Sequence, residues 1–217
     1  MSDIGEMVFL PKLLRRLREV APEVNIKTVA MPPNLLEQAM EAGGVDLAVG
    51  YFPDLTKHRF YQQRLFRHAF VCIARADHPD IGETLSLEQF LRIPHAVVSP
   101  EGRSQEIFDR LLEREGLKRR VLLSIPHFMS IPFIVTSSDL IVTLPRAVGT
   151  SFAQLANIKL LDPPFENPTF DLKQHWHERF HQDAANRWIR GLFYELFSEQ
   201  EPMRVGVPRT GTEPWEV

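Results

Sequence analysis

Apolar residues along this chain follow two rhythms, one spaced for helices and one for strands, and the two alternate up to about position 198. Met7, Leu10, Leu14, Leu17 and Ala21 recur at spacings of three and four, which predicts a helix with that face inward and Arg15, Arg16 and Arg18 in solvent. Pro11 comes early enough to be tolerated or to kink it. Residues 25–30 read as a strand. Residues 33–42 read as a helix that turns Leu35, Leu36, Ala39 and Met40 inward and stops at Gly43 and Gly44. A short apolar strand follows over 45–50. Strand, helix, strand in that order predicts parallel pairing, because parallel strands need a crossover to reconnect.

Residues 60–76 are rich in aromatic and β-branched side chains and read as one or two strands leaving this first lobe. The alternation then repeats: helix 87–91, strand 95–98, helix 104–115, strand 119–125, helix 128–136, strand 139–144. That predicts a second α/β lobe of similar build. Residues 170–176 supply another strand, and residues 184–198 a helix that buries Trp188, Leu192, Phe193 and Leu196 and returns to the first lobe. From 201 onward Pro202, Gly206, Pro208, Gly211 and Pro214 break every period, so 201–217 is expected to be an irregular tail. No internal repeat is visible.

Composition narrows the function. The net charge of −3 over 217 residues leaves no basic excess to neutralise a phosphate backbone, so the chain as it stands is a poor nucleic-acid binder. Cys72 is the only cysteine, which excludes an intrachain disulfide and a thiolate metal site, and its neighbours Val71, Ile73 and Ala74 suggest a buried strand. The first twenty residues carry charges throughout and no long apolar run, so neither a secretory signal nor a membrane span is expected, and a reducing cytoplasm fits. There is no GxSxG elbow, Walker glycine loop or GxGxxG after a strand, and no Ser, His and Asp arrangement that points to a triad. Hence no catalytic residue and no cofactor is assigned, and the chain is expected not to be an enzyme. His175, His177 and His181 include the HxH spacing of metal ligands, but no cysteine nearby completes a set, so no metal is expected. The Arg15, Arg16, Arg18 cluster and the Lys118, Arg119, Arg120 run read as solvated faces.

A set of short segments, in order, carries a resemblance. They are Met1-Ser2-Asp3-Ile4-Gly5-Glu6-Met7, Gly44-Val45-Asp46-Leu47-Ala48-Val49-Gly50 and Leu65-Phe66-Arg67-His68. Next come Gly116-Leu117-Lys118-Arg119-Arg120, Pro126-His127-Phe128, and Ser138-Asp139-Leu140-Ile141 with Thr143 and Pro145. Trp176-His177 with Asp183, Trp188 and Arg190 close the series. Each is weak alone, but their joint order over roughly 1–200 resembles the effector-binding domain of LysR-type transcriptional regulators, in particular the aromatic-responsive branch with nodulation and nitroarene or salicylate regulators. The resemblance implies an α/β fold of two Rossmann-like lobes joined by two crossover strands, periplasmic-binding-protein-like of type II. Lobe I would take about 1–70 and 178–200, and lobe II about 71–177. It also implies homodimers in which a first-lobe helix packs on a neighbour's second lobe, tetramers at full length, and DNA contact only through an N-terminal winged helix-turn-helix. That element is expected to be missing here, with the chain opening at the first strand of the sensor, as either a piece of a longer regulator or a free-standing sensor.

A cleft sensor needs apolar walls, a few convergent polar groups and helix N-termini that offer free N–H donors. Ser2 and Asp3 before the first helix, and Ser99, Gly102 and Ser104 before a second-lobe helix, fit that context, although plain capping would also explain Ser2, Asp3 and Ser104. Asp3 disfavours a carboxylate lying on it but could accept from a phenol, which tilts the expected effector toward phenols over acids. The resemblance makes His127 the leading inducer contact; backbone bonding that merely supports its loop is the bland alternative. Ile4, Phe9, Phe128, Ile131, Phe165 and Trp176 complete the candidate set, the aromatics with core packing as a competing role. The expected partner is a small aromatic effector such as a phenol, a chlorinated aromatic or a salicylate-like acid. The alternative is a stand-alone two-lobed protein for transport or scavenging.

Overall fold

The computed structural model describes residues 1–53, 55, 58–98 and 104–198, apart from the side chains of residues 3, 33, 104 and 105. The chain begins with α1 (Asp3–Val20), α2 (Pro33–Ala42), β1 (Ala48–Gly50) and the long β2 (Phe60–Arg75). Next come α3 (Leu87–Arg92), β3 (His95–Val98), α4 (Ser104–Arg114), β4 (Val121–Ile125), α5 (Ile131–Thr136) and β5 (Ile141–Pro145). It closes with α6 (Arg146–Leu155), β6 (Ile158–Leu161), β7 (Thr169–His177), a short 3-10 turn and α7 (Ala184–Phe197).

β2 organises all of this by changing partners midway. From Phe60 to Ala69 it runs antiparallel to β7, with a register shift between Arg64 and Phe66; from Phe70 to Arg75 it pairs with β5 and β6 instead. β1 adds to the far edge of β7, so β1, β7 and the first half of β2 form the sheet of one lobe. In the other lobe β3 lies parallel between β4 and β5, the pairing that its helical crossovers require. Two strands, β2 and β7, therefore tie the lobes together.

The apolar core follows the same division. One cluster joins α1 and α7, through Phe9, Leu13, Phe193 and Phe197, to Leu65 and Val71 of β2 and on to Phe128, Ile131 and Val148. A second packs Phe90 of α3 and Phe108 of α4 on Phe70 and Ile141. A third lies under α2, where Leu36 and Met40 meet Ala48. Gly43 ends α2 in the left-handed conformation (φ 84°), where a side chain would be strained.

Several expectations change. No strand forms over 25–30: Val24 and Ile26 are exposed, and the segment is held by the Met1 ammonium donating to Val29 O (3.0 Å) and by Thr28 Oγ1 donating to Glu6 (2.6 Å). Without that ladder, β1 has only an antiparallel partner among the described residues, so the parallel pairing foreseen for this lobe is not seen there. The first described element is a helix, not a strand. α1 buries Val8, Phe9, Leu13 and Leu17 and leaves Leu14 47% exposed, because Phe9 is drawn against Phe197 (4.9 Å between ring centroids). Leu35 of α2 is likewise exposed. In α7 Trp188 is 42% exposed while Arg190 is buried, its guanidinium 4.1 Å from the Trp176 ring and donating to Asn186 Oδ1, Phe180 O and His181 O. α6 and β6 were not foreseen, since Pro145 ends β5 and starts α6 with no intervening loop.

Candidate functional site

The switch point in β2 is where the lobes meet, and one side chain closes its backbone. Phe70 N–H donates to Asn167 Oδ1 (3.1 Å), and Asn167 Nδ2 donates to Phe70 O (2.8 Å), so a carboxamide stands where a strand neighbour would. Aromatic rings run through this point from one core to the other. Phe9 meets Phe66 (6.1 Å), Phe66 meets His68 (5.7 Å) and His68 meets Phe170 (5.6 Å). Phe170 touches Tyr51 (5.7 Å) and Phe70 (5.2 Å), and Phe70 reaches Phe108 of α4 (5.3 Å). Most of these pairs are edge-on or tilted, the geometry the ring quadrupoles favour.

His68 occupies the middle of that series. Burial, reinforced by the nearby Arg146 guanidinium, brings its imidazolium pKa down to about 4, so the ring is neutral at neutral pH. Its Nε2 accepts from Ala147 N–H (3.3 Å) in the first turn of α6, whose own N-cap, Pro145, supplies no side-chain acceptor. The ring proton therefore sits on Nδ1, which has no partner among the described residues. Arg146 is itself ion-paired with Asp162. α1, which packs against α6, also starts without a side-chain cap, Ser2 making no such bond. By contrast α3 has a full capping box from Ser86 and Gln89, and Asp183 caps α7. The junction thus offers a neutral N–H donor among aromatic rings, a set that suits an oxygen carried on a flat apolar molecule.

Of the residues singled out from sequence, Phe9, Phe128 and Ile131 are buried in the cluster that crosses the junction, and half-buried Ile4 packs against it. Ser2 and His127 are exposed, His127 in the turn between β4 and α5, its carbonyl O 3.5 Å from the Ser130 hydroxyl that donates to it. Phe165 lies instead in the second-lobe core, against Phe90 (5.2 Å) and Phe108 (5.7 Å). Trp176 is six residues beyond Phe170 on β7, about 20 Å along the strand. There its ring stacks on Tyr61 (5.9 Å) and its indole N–H donates to His181 Nδ1 (3.2 Å). Ser99 and Gly102 fall outside the described residues, as do the side chains of Asp3 and Ser104. His175 and His177 are both buried on β7, edge-on to Phe52 and Phe60, and no group of three or more metal-ligating side chains occurs among the described residues.

Sequence reading passed over His68, Asn167, Tyr51 and Arg146 as site residues. A weak signal existed for His68: it directly precedes the apolar run 69–74 of the strand, and a histidine drawn into a core must find a partner or lose its charge. For Asn167 there was none, since its target is 97 residues away.

Two α/β lobes joined by two crossover strands make this a type II periplasmic-binding-protein-like domain. The regulatory domain of MexT, a transcriptional activator in Pseudomonas aeruginosa, superposes with a TM-score of 0.80 at 29% identity, over 90% of this chain and 96% of that one. A probable transcriptional regulator from the same organism gives 0.81 at 32% identity, over 90% and 64%. Residues 1–198 match the LysR substrate binding domain, and the chain belongs to that family, the effector-binding regulatory domains of LysR-type transcriptional regulators. Its relatives include the HTH-type transcriptional activators NagR of a Ralstonia species, 40% identical over 92% of this chain, and NahR of Pseudomonas putida, 36% identical over 92%. The chain spans 66% of the length of each of these two relatives. Among the described residues no helix is long and apolar enough to cross a membrane.

Proposed function

We propose that this chain senses a small aromatic inducer, a phenol, a chlorinated aromatic or a salicylate-like acid, between its lobes, and passes occupancy on as a change in lobe and subunit geometry. The observation that carries the reading is His68: a neutral imidazole with one nitrogen committed to α6 and the other without a partner among the described residues, set between Phe66 and Phe170 at the lobe junction. A flat ligand there gains aromatic contact and one hydrogen bond without meeting an unpaired charge. The aromatic-responsive branch that the segment order resembles points the same way, and His127 at the β4 to α5 turn is the second contact in this reading. The chain binds and releases its effector unchanged, without catalysis. In a regulator as long as those relatives, the remaining length would hold the winged helix-turn-helix that reads DNA, and that regulator would work as a homodimer or tetramer in the cytoplasm. Coupling requires that the inducer bind one arrangement of the lobes more tightly than the other.

Thermal unfolding with phenol, chlorophenols and salicylate tests this. A ligand present at 100 times its Kd stabilises the fold by about 2.7 kcal/mol. His68→Phe, which keeps the ring and removes the donor, should lose most of that shift, and His127→Ala part of it. No stabilisation by any aromatic in the series would overturn the reading.

A further inference from the structure

β2 and β7 are the two strands that cross between the lobes, and their backbone ladder stops one rung short of the crossing. Its last rung pairs Ala69 with Thr169, so the next would set Phe70 against Pro168. Pro168 has no N–H for the Phe70 carbonyl, and a complete backbone rung cannot form there. The neighbouring Asn167 supplies the rung from its side chain instead: Oδ1 accepts from Phe70 N–H (3.1 Å) and Nδ2 donates to Phe70 O (2.8 Å). From Phe70 onward β2 belongs to the other sheet, paired with β5 and β6, and the chain that arrives at Asn167 comes from β6 of that same lobe. We propose that this side-chain rung is the hinge of the domain, and that Asn167 is a positioning residue which lets the lobes change angle while the crossover strands stay tied.

A backbone rung fixes the spacing of two strands at about 4.8 Å, and their twist with it, because the peptide groups that form it are planar and stiff. A carboxamide on a side chain presents the same donor and acceptor through two torsions, and in asparagine the second of these is broad and soft. Rotation about them lets Phe70 turn relative to the 167–168 backbone with both hydrogen bonds kept, so a change of lobe angle leaves no buried polar group of Phe70 unpaired. The packing around the rung suits such a turn. The Phe70 ring touches Phe170 of β7 (5.2 Å) and Phe108 of α4 (5.3 Å), apolar contacts without the directional demand of a ladder. On its other side Phe70 faces Pro145, so β5 adds no N–H at this level. Pro163, Pro164 and Pro168 restrict the backbone of the stretch entering from β6, which concentrates the bending on the rung. The part that Asn167 plays in signalling rests on the reading that an inducer binds between the lobes; the hinge itself does not.

The test exchanges the side-chain rung for a backbone one. In N167A/P168A the backbone at 168 regains an N–H for the Phe70 carbonyl, so the ladder can run on by one rung, whereas N167A has no rung at all. Spin labels on E41C and E113C, exposed positions in α2 of one lobe and α4 of the other, report the distance between the lobes, and buried Cys72 stays unlabelled. Without ligand, N167A should give a broader distribution of interlobe distances than the parent. N167A/P168A should give a narrower one, together with recovery of the urea midpoint lost in N167A, and should bind salicylate about fivefold or more weakly than the parent. Two results would overturn the hinge: a distribution in N167A no broader than the parent's, or a double variant that regains the midpoint at the parent's width. If the double variant does not regain the midpoint, the width of N167A decides alone. Failure of the parent to bind salicylate or any other aromatic would sink the inducer reading, and the ligand-free widths would still decide the hinge.

Discussion

Replacing Asn167 with alanine removes both hydrogen bonds that close the Phe70 backbone at the point where β2 leaves β7. Phe70 is fully buried, and among the described residues the side-chain partner of its N–H and carbonyl is Asn167. Across the sheet it faces Pro145, which has no N–H to give. A buried backbone group left unsatisfied costs about 1–3 kcal/mol, and because Asn167 is only half-buried, water reaches part of the gap, so the pair is worth about 2–4 kcal/mol. For a domain of this size each kcal/mol moves Tm by roughly 2–4 °C, so the variant should melt roughly 4–16 °C lower. Calorimetry and urea unfolding measure it. Asn167→Asp is the informative partner: it keeps an acceptor for the Phe70 N–H but turns a second oxygen on the Phe70 carbonyl, and should be no more stable than the alanine variant. A drop of less than about 1 °C in Asn167→Ala would refute the reasoning, since water would then be an adequate substitute for the carboxamide.

Two further outcomes follow from packing and from burial. A Cβ on Gly149 of α6 would lie 2.6 Å from Val71 Cγ1 and 3.1 Å from Leu144 Cδ1, so Gly149→Ala should destabilise by about 1–3 kcal/mol in urea unfolding despite alanine's better helix propensity. His68 and His95 both have imidazolium pKa values lowered by burial to about 4, against about 6.5 when unfolded. Above the unfolded value both states are neutral and their contribution is complete; as pH falls toward about 4 the unfolded chain takes up protons that the folded one refuses, and stability is lost. Each histidine should account for about 2–3 kcal/mol of that loss, read from urea midpoints between pH 7 and 4.5. His95→Gln should flatten the slope, and a parent whose stability does not change over this window would contradict the assignment.

Much of the architecture was legible before any coordinates. The alternation of strand and helix, the long apolar segment at 60–76 and the isolated Cys72 inside it correspond to real features: two lobes, the crossover strand β2 and a thiol with no exposure, its pKa pushed up to about 12 chiefly by burial. Phe9, Phe128 and Ile131, candidate walls with core packing as the competing role, are packed in the core cluster that crosses the lobe junction. Less was legible where two local readings compete. On α1 the stripes through Leu10 and Leu14 and through Phe9 and Leu13 are both apolar, and only the rings of α7 decide between them.

What the chain determined by itself was the period of each element, because burial along a helix or strand is written at spacings of two to four residues. What tertiary structure alone decided was which groups meet. Residues 25–30 have strand composition yet form no ladder, since a strand exists only with a partner for its backbone. His68 is neutral and caps a helix 79 residues away, and Arg190 is buried while Trp188 is not, because Trp176 offers a ring face to the guanidinium. Asn167 reads as an ordinary loop residue until the backbone of Phe70 is beside it. Local spacing carries no record of such distant neighbours, and the candidate site is built almost entirely from them.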